Sequence, residues 1–287
     1  MGMKGFKRFE KDFSCGGKQY EENTTYEEHG VGCCHKGVMY FCEDPWEVLN
    51  HYDLVDENGN FSEFAEVEAL GQVWNDGEKR ATNKIHIGAK LGLKGFLKAC
   101  IDFTLEKTKY ESNGTNLSGD YAQIGSSGYS AQIGSSGYYA KIGSSGNSAQ
   151  IGSSGNSAQI GSSGDSAQIG SSGDYAKIGS SGDYAKIGSS GYYAQIGSSG
   201  DYAKIGSSGD SAQINSTGED AVIMCAGSRS KAKGKKGSWI TLAEWVKDEE
   251  KGRYVPICVK TERVDGEKIK EDTYYTLKNG EFSEVEE

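Results

Sequence analysis

Residues 174–182 read Asp-Tyr-Ala-Lys-Ile-Gly-Ser-Ser-Gly, and the same nine-residue phrase, x-Ala-[Gln/Lys]-Ile-Gly-Ser-Ser-Gly-x, runs with few changes from about Asp120 to Ala226. Alanine recurs in steps of nine from Ala122 to Ala221 and isoleucine from Ile124 to Ile223, 12 of each in one register. A fixed short period marks a solenoid, whose units bury their apolar faces only against their neighbours. In x-Ala-x-Ile the apolar residues lie two apart. A strand therefore turns both to one face and sends the Tyr or Ser before Ala, and the Gln or Lys after it, to the other. Gly-Ser-Ser-Gly then predicts a break in the strand, with the glycines taking positive φ. A helix would set Ala and Ile about 200° apart and meet two glycines in every unit, which its propensities oppose.

One strand and one turn per unit predict a coil of two units, 18 residues, with successive strands facing each other across a thin Ala/Ile core. Twelve units make about six coils, a stack roughly 29 Å long at about 4.8 Å per coil. The period leaves a coil of three shorter sides open, and leaves the handedness open. With two units per coil, alternate units share a side. One side carries Tyr121, Tyr139, Ser157, Tyr175, Tyr193 and Ser211, the other Ser130, Ser148, Ser166, Tyr184, Tyr202 and Asp220. Tyrosines in register either cover and stiffen a sheet or form an exposed aromatic platform. On the platform reading Tyr121, Tyr139, Tyr175 and Tyr193 are the candidate partner-binding residues. Asp165, Asp183 and Asp201, from the turn column one residue earlier, join them. Asp and Asn are also ordinary turn residues at that place.

The calcium-binding nonapeptide roll has the same period and aligns its Asp with Asp165, Asp174, Asp183, Asp201 and Asp210. Its other glycines fall on Ile and Ser here, so no metal is expected, because a hard cation needs several converging oxygens. The Ser-x-Ala-x-x-x-Gly rhythm also resembles the head repeats of trimeric bacterial surface adhesins. That likeness speaks for a β-roll and not for a surface location, since no signal peptide or membrane anchor is read in the chain.

The chain has 287 residues, a net charge of −10, and 42 Gly against 2 Pro, both prolines outside the repeats. Between residues 115 and 227 four lysines stand against eight acids. An acidic chain suits a basic protein surface better than direct contact with nucleic acid. Seven cysteines, an odd number with no export signal, predict reduced thiols and a cytoplasmic setting in a host cell. Cys15, Cys33, Cys34, His35 and Cys42 crowd together but lack the Cys-x-x-Cys pairs of structural zinc sites.

Residues 1–110 read as an α+β cap domain, 111–230 as the solenoid and 231–287 as a β-meander cap, a mainly β chain. In the first, Lys18 to Tyr26, Gly37 to Cys42, Phe64 to Leu70 and Lys84 to Ile87 predict strands. Asp44 before Pro45-Trp46-Glu47 predicts a helix from Pro45 to about Tyr52. Gly88 to Lys109 predicts a second helix, expected to cover the open end of the first coil. After the repeats, Lys231, Lys233, Lys235 and Lys236 read as a solvated loop. Trp239 to Val246, Tyr254 to Val264 and Tyr274 to Phe282 read as strands, with hairpin turns at Asp265-Gly266 and Asn279-Gly280.

The flanks "KGFKRFEKDFSCGGKQYEENTTYEE", "HKGVMYFCEDPWEVLNHYD" and "ATNKIHIGAKLGLKGFLKA", with "SWITLAEW" and "VDGEKIKEDTYYTLKNGEFSEVEE", resemble an uncharacterised family of phage and prophage proteins. In that family similar flanks bracket a Ser/Ala-rich repeat of variable length. The resemblance implies a source, not a reaction. Val38-Met39-Tyr40 stands where relatives tend to have Phe-His, which weakens an enzymatic reading of the cap.

His29, His35, His51 and His86 are scattered, and no Ser-His-Asp order, phosphate loop or His-Glu-x-x-His helix is present. No catalytic residue, metal or cofactor is assigned. The expected function is a non-enzymatic, phage-type binding protein whose rod engages a host protein, a nuclease or other defence component, with duplex DNA mimicry as one mechanism. A structural spacer, and a cap with its own ligand or activity, are the competing readings.

Overall fold

The computed structural model describes residues 2–33, 37–55, 61–107, 115–117 and 119–285. It divides into two compact units, Met1–Phe103 and Thr104–Glu287.

The first unit is a seven-stranded antiparallel sheet with two helices. Its elements are β1 (Met3–Phe9), a small hairpin of β2 (Ser14–Cys15) and β3 (Lys18–Gln19), β4 (Thr24–Glu27), β5 (Met39–Cys42), α1 (Pro45–His51), β6 (Glu63–Ala69), β7 (Val73–Asp76), β8 (Lys79–Thr82), β9 (Lys84–Lys90) and α2 (Gly92–Lys107). The sheet order is β4-β9-β6-β1-β5-β8-β7. The Asp44 carboxylate accepts the Trp46 N–H at 2.8 Å, as an N-cap should, and Pro45 opens α1. The Trp46 indole N–H reaches the Cys100 carbonyl of α2 at 3.1 Å, and Phe64 of β6 stacks on Phe96 of α2. Residues 88–90 finish β9 instead of starting α2, because β9 continues its pairing with β6 as far as Ala65↔Lys90. The sequence reading also passed over β1, the strand between β5 and β6, and the β7–β8 hairpin.

The second unit is a β-solenoid of about seven turns, about 18 residues per turn. Strand β10 (Thr115–Leu117) precedes twelve four-residue strands, one every nine residues, from β11 (Gln123–Ser126) to β22 (Val222–Cys225). Odd and even strands build two separate parallel sheets in perfect register, Ile124 on Ile142 and Ile133 on Ile151. Each coil therefore has two sides. The strand is [Gln/Lys]-Ile-Gly-Ser, with Ala just before it. Ala, Ile and the first Ser, two apart, all point inward.

Positive φ falls elsewhere than the repeat glycines. The residue before each Ala takes it, from Tyr121 to Asp220, as does Arg229 before Ser230, always between 50° and 58°. The tyrosines and serines expected to project from a strand face thus sit at the corners of the coil. From Gly137 onward the second glycine of each Gly-Ser-Ser-Gly is required by space. A Cβ on Gly173 would lie 2.1 Å from the Gly155 carbonyl oxygen, one coil earlier.

The backbone repeat outlasts the sequence repeat. Arg229 keeps the corner conformation, and β23 (Lys231–Lys233) pairs with β21 (Gln213–Ser216) where a solvated loop was expected. Then β24 (Trp239–Asp248) and β25 (Arg253–Arg263) extend the even sheet as a hairpin, while β26 (Tyr275–Lys278) and β27 (Glu281–Glu284) extend the odd one. Asn279-Gly280 turns the second hairpin. Asp265-Gly266 turns none: the Asp265 carboxylate accepts the N–H groups of Glu267, Lys268 and Ile269 in a link between sheets. The C-terminal strands are two hairpins, one per sheet, tied by Glu244 of β24, which accepts the Asn279 and Gly280 N–H groups at 2.8 and 2.7 Å. Val264, Ile269, Tyr275 and Leu277 close that end of the Ala/Ile core.

Candidate functional site

The corners are built by hydrogen bonds between coils. At the corners from Tyr121 to Ser211 the positive-φ residue donates its N–H to a carbonyl 17 residues on, as in Ser166 N to Asp183 O at 2.7 Å. The preceding Asp or Asn accepts, through Oδ1, the N–H of its equivalent 18 residues later: Asp183 from Asp201 at 2.9 Å, Asn156 from Asp174 at 3.0 Å. Left-handed backbone costs a non-glycine residue roughly 1–2 kcal/mol. The paired bonds, repeated at every coil, hold it.

Along one edge Tyr121 stacks on Tyr139 with ring centroids 5.2 Å apart, and Tyr175 on Tyr193 at 5.1 Å, both pairs nearly coplanar in orientation. These are the four tyrosines singled out from the sequence, and all are exposed. Two that were read only as turn residues, Tyr138 and Tyr192, stand beside them, exposed as well. The edge therefore carries two groups of three, Tyr121/Tyr138/Tyr139 and Tyr175/Tyr192/Tyr193, about two coils or ~10 Å apart. The signal was in the sequence: Tyr-Tyr pairs at 138–139 and 192–193 span neighbouring columns of the repeat.

Asp165, Asp183 and Asp201 lie on the opposite edge, with the Tyr184–Tyr202 stack at 5.0 Å. They do not converge with the four tyrosines. Each gives one carboxylate oxygen to the next coil, at 3.1, 2.9 and 2.8 Å. This is coil-to-coil capping, not the oxygen cage of a calcium roll.

Among the described residues no group of three or more His, Cys, Asp or Glu side chains is placed to hold a metal ion. Cys34 and His35 lie outside the described residues. In the first unit Glu27 pairs with Lys84, Glu28 with Lys18, and Glu22 accepts the Lys90 N–H. His86 meets Thr25, and His51 meets Glu78 at 3.4 Å. Burial pushes the Cys42 and Cys225 thiols up to about 12. These groups are dispersed, and none of them forms a nucleophile–base pair.

Residues 3–99, nearly all of the first unit, match a family described as Domain of unknown function (DUF7666). No curated protein and no solved structure matches the chain. Among the described residues no helix is long and apolar enough to cross a membrane.

Proposed function

We propose that the chain is a non-enzymatic binding protein whose solenoid presents the tyrosine edge to a protein partner. The supporting observation is the pairing of exposed, stacked tyrosines with a corner backbone fixed coil by coil. Rigid aromatic side chains contribute large contact area at small entropic cost, which is what interface anchors need. As to which partner, the flank resemblance to phage proteins points to a bacterial defence component, a nuclease among them, which the chain inhibits. Charge mimicry of duplex DNA is a weak mechanism for it. An edge column offers at most one carboxylate per coil, about 4.8 Å, against one charge per ~1.7 Å of duplex. Shape and tyrosine contact carry the interaction.

The test compares the protein with a variant in which Tyr121, Tyr139, Tyr175 and Tyr193 are all serine, as bait in nuclease-treated bacterial lysate. Serine already occupies the same corner at Ser157 and Ser211, so the fold is kept. A stoichiometric protein held by the first bait and lost from the second is expected. Equal capture by both baits, or none by either, refutes the tyrosine edge as the contact.

A further inference from the structure

The even sheet carries a second, chemically different surface. An open groove of about 780 Å³ runs across it, along the stack of coils. Its floor is the strand glycines, where a Cβ added at Gly152, Gly170 or Gly188 would meet nothing within 4 Å. Along it the outward residues of successive strands form one column, Gln132, Gln150, Gln168, Lys186 and Lys204, fixed by the parallel register, and the column continues past the groove through Val222 to Trp239. Lys186 lies directly across from Lys204 on neighbouring strands, both exposed. Like charges placed so are unfavourable, and neither ammonium group has an ion-pair or hydrogen-bond partner among the described residues. In a chain of net charge −10, two adjacent unneutralised cations facing a groove call for an anion.

We propose that this groove binds a linear acidic oligosaccharide. A carboxylate of the chain sits between the Lys186 and Lys204 ammonium groups. The side-chain amides of Gln150 and Gln168, which donate and accept, take its hydroxyls. Trp239, 47% exposed and two strands beyond Lys204, gives a sugar ring a face to stack on. The other linear polyanions fit less well. An extended acidic peptide gains affinity from a free sheet edge, and here every strand under the groove is paired on both sides. A nucleic acid strand needs many phosphate contacts to bind tightly, and the groove supplies two lysines. This surface is separate from the tyrosine edge, so either assignment stands or falls without the other.

Calorimetric titration of the intact protein tests it, with uronate hexamers of three linkages (galacturonate, mannuronate and hyaluronate), their methyl esters, and hexaglutamate. At least one acid hexamer is expected to bind and its methyl ester at least tenfold more weakly. Lys186→Gln/Lys204→Gln, which extends the glutamine column already present at Gln150 and Gln168, is expected to weaken the acid form at least tenfold without lowering the thermal midpoint. Trp239→Ala is expected to weaken it severalfold. The proposal is overturned if no uronate binds at millimolar concentration, if the double lysine variant binds as tightly, or if hexaglutamate equals the best uronate.

Discussion

Two glycines of one repeat, three residues apart, should respond oppositely to the same substitution. Neither Gly170 nor Gly173 has positive φ, so backbone strain does not separate them. Space does. A methyl group at Gly173 falls 2.1 Å from the Gly155 oxygen, 2.5 Å from its carbon and 2.9 Å from the Asn156 nitrogen, all backbone, while at Gly170 it meets nothing. Relief requires the coils to part by more than an ångström at that corner. Three hydrogen bonds cross there: Ser172 N to Ser153 O at 3.0 Å, Asp174 N to Asn156 Oδ1 at 3.0 Å and Ser157 N to Asp174 O at 2.7 Å. At roughly 0.5–1.5 kcal/mol each, their weakening makes Gly173→Ala cost about 2–4 kcal/mol. Gly170→Ala is expected to be neutral or to stabilise by up to about 1 kcal/mol, through the smaller entropy of the unfolded chain. Urea unfolding followed by circular dichroism reads both. Equal destabilisation, or a Gly173→Ala variant within about 0.5 kcal/mol of the parent, would refute the packing argument.

The corner ladder predicts that Asp183→Ala loses the acceptor for the Asp201 N–H and costs about 1 kcal/mol. Asp183→Asn, the residue the repeat itself uses at Asn147 and Asn156, should be near neutral by thermal melting. Cys42 and Cys225, buried with thiols held near 12, should resist alkylation at pH 8 until the protein unfolds, while half-exposed Cys15, Cys33 and Cys258 react first; mass spectrometry of timed samples checks the order. Asp265 is held below the usual carboxylate range by the N–H groups of Glu267 and then Ile269. A depressed acid stabilises above its unfolded pKa and loses that contribution as pH falls through the folded one. Asp265→Asn should therefore flatten the decline of the thermal midpoint below about pH 4.

What the sequence made legible follows from how strongly packing constrains each position. Ala and Ile at a fixed period gave the two-sided, 18-residue coil, because only one register buries both columns. The corner conformation was misplaced because positive φ is ordinarily read from glycine, and here it rests on Tyr, Ser and Asp held by neighbouring coils. In the first unit β1 escaped notice for a related reason. Its Lys7 and Arg8 look like surface charge, yet both are buried. The Lys7 ammonium donates to the Tyr40 carbonyl at 2.9 Å, and the Arg8 guanidinium to Ser62 Oγ at 2.9 Å. The candidate site was half legible: the tyrosines could be assigned to columns, but the separation of Asp165, Asp183 and Asp201 onto the far edge follows from strand alternation only once the corners are located.

The repeat itself separates structure from recognition. Ala, Ile and the first Ser point into the core, and the second glycine leaves no room for a side chain against the preceding coil. Those positions scarcely change from unit to unit. The positions that vary are the two corner residues and the Gln/Lys at the strand start, and from the even strands these reach solvent. Any information the rod carries for a partner is confined to these columns, since change elsewhere costs coil packing. Tyrosine, aspartate and lysine are not scattered evenly over them. Both Tyr-Tyr corners stand on one edge, five of the eight carboxylates of the repeats, Asp165, Asp183, Asp201, Glu219 and Asp220, stand on the other, and Lys186 and Lys204 lie side by side on the even face. A spacer that only set a length would have no use for such a distribution, because serine and glutamine already satisfy the same backbone at Ser157, Ser166 and Gln168. This uneven filling of the variable columns is the ground on which we propose a binding rod and not a passive one.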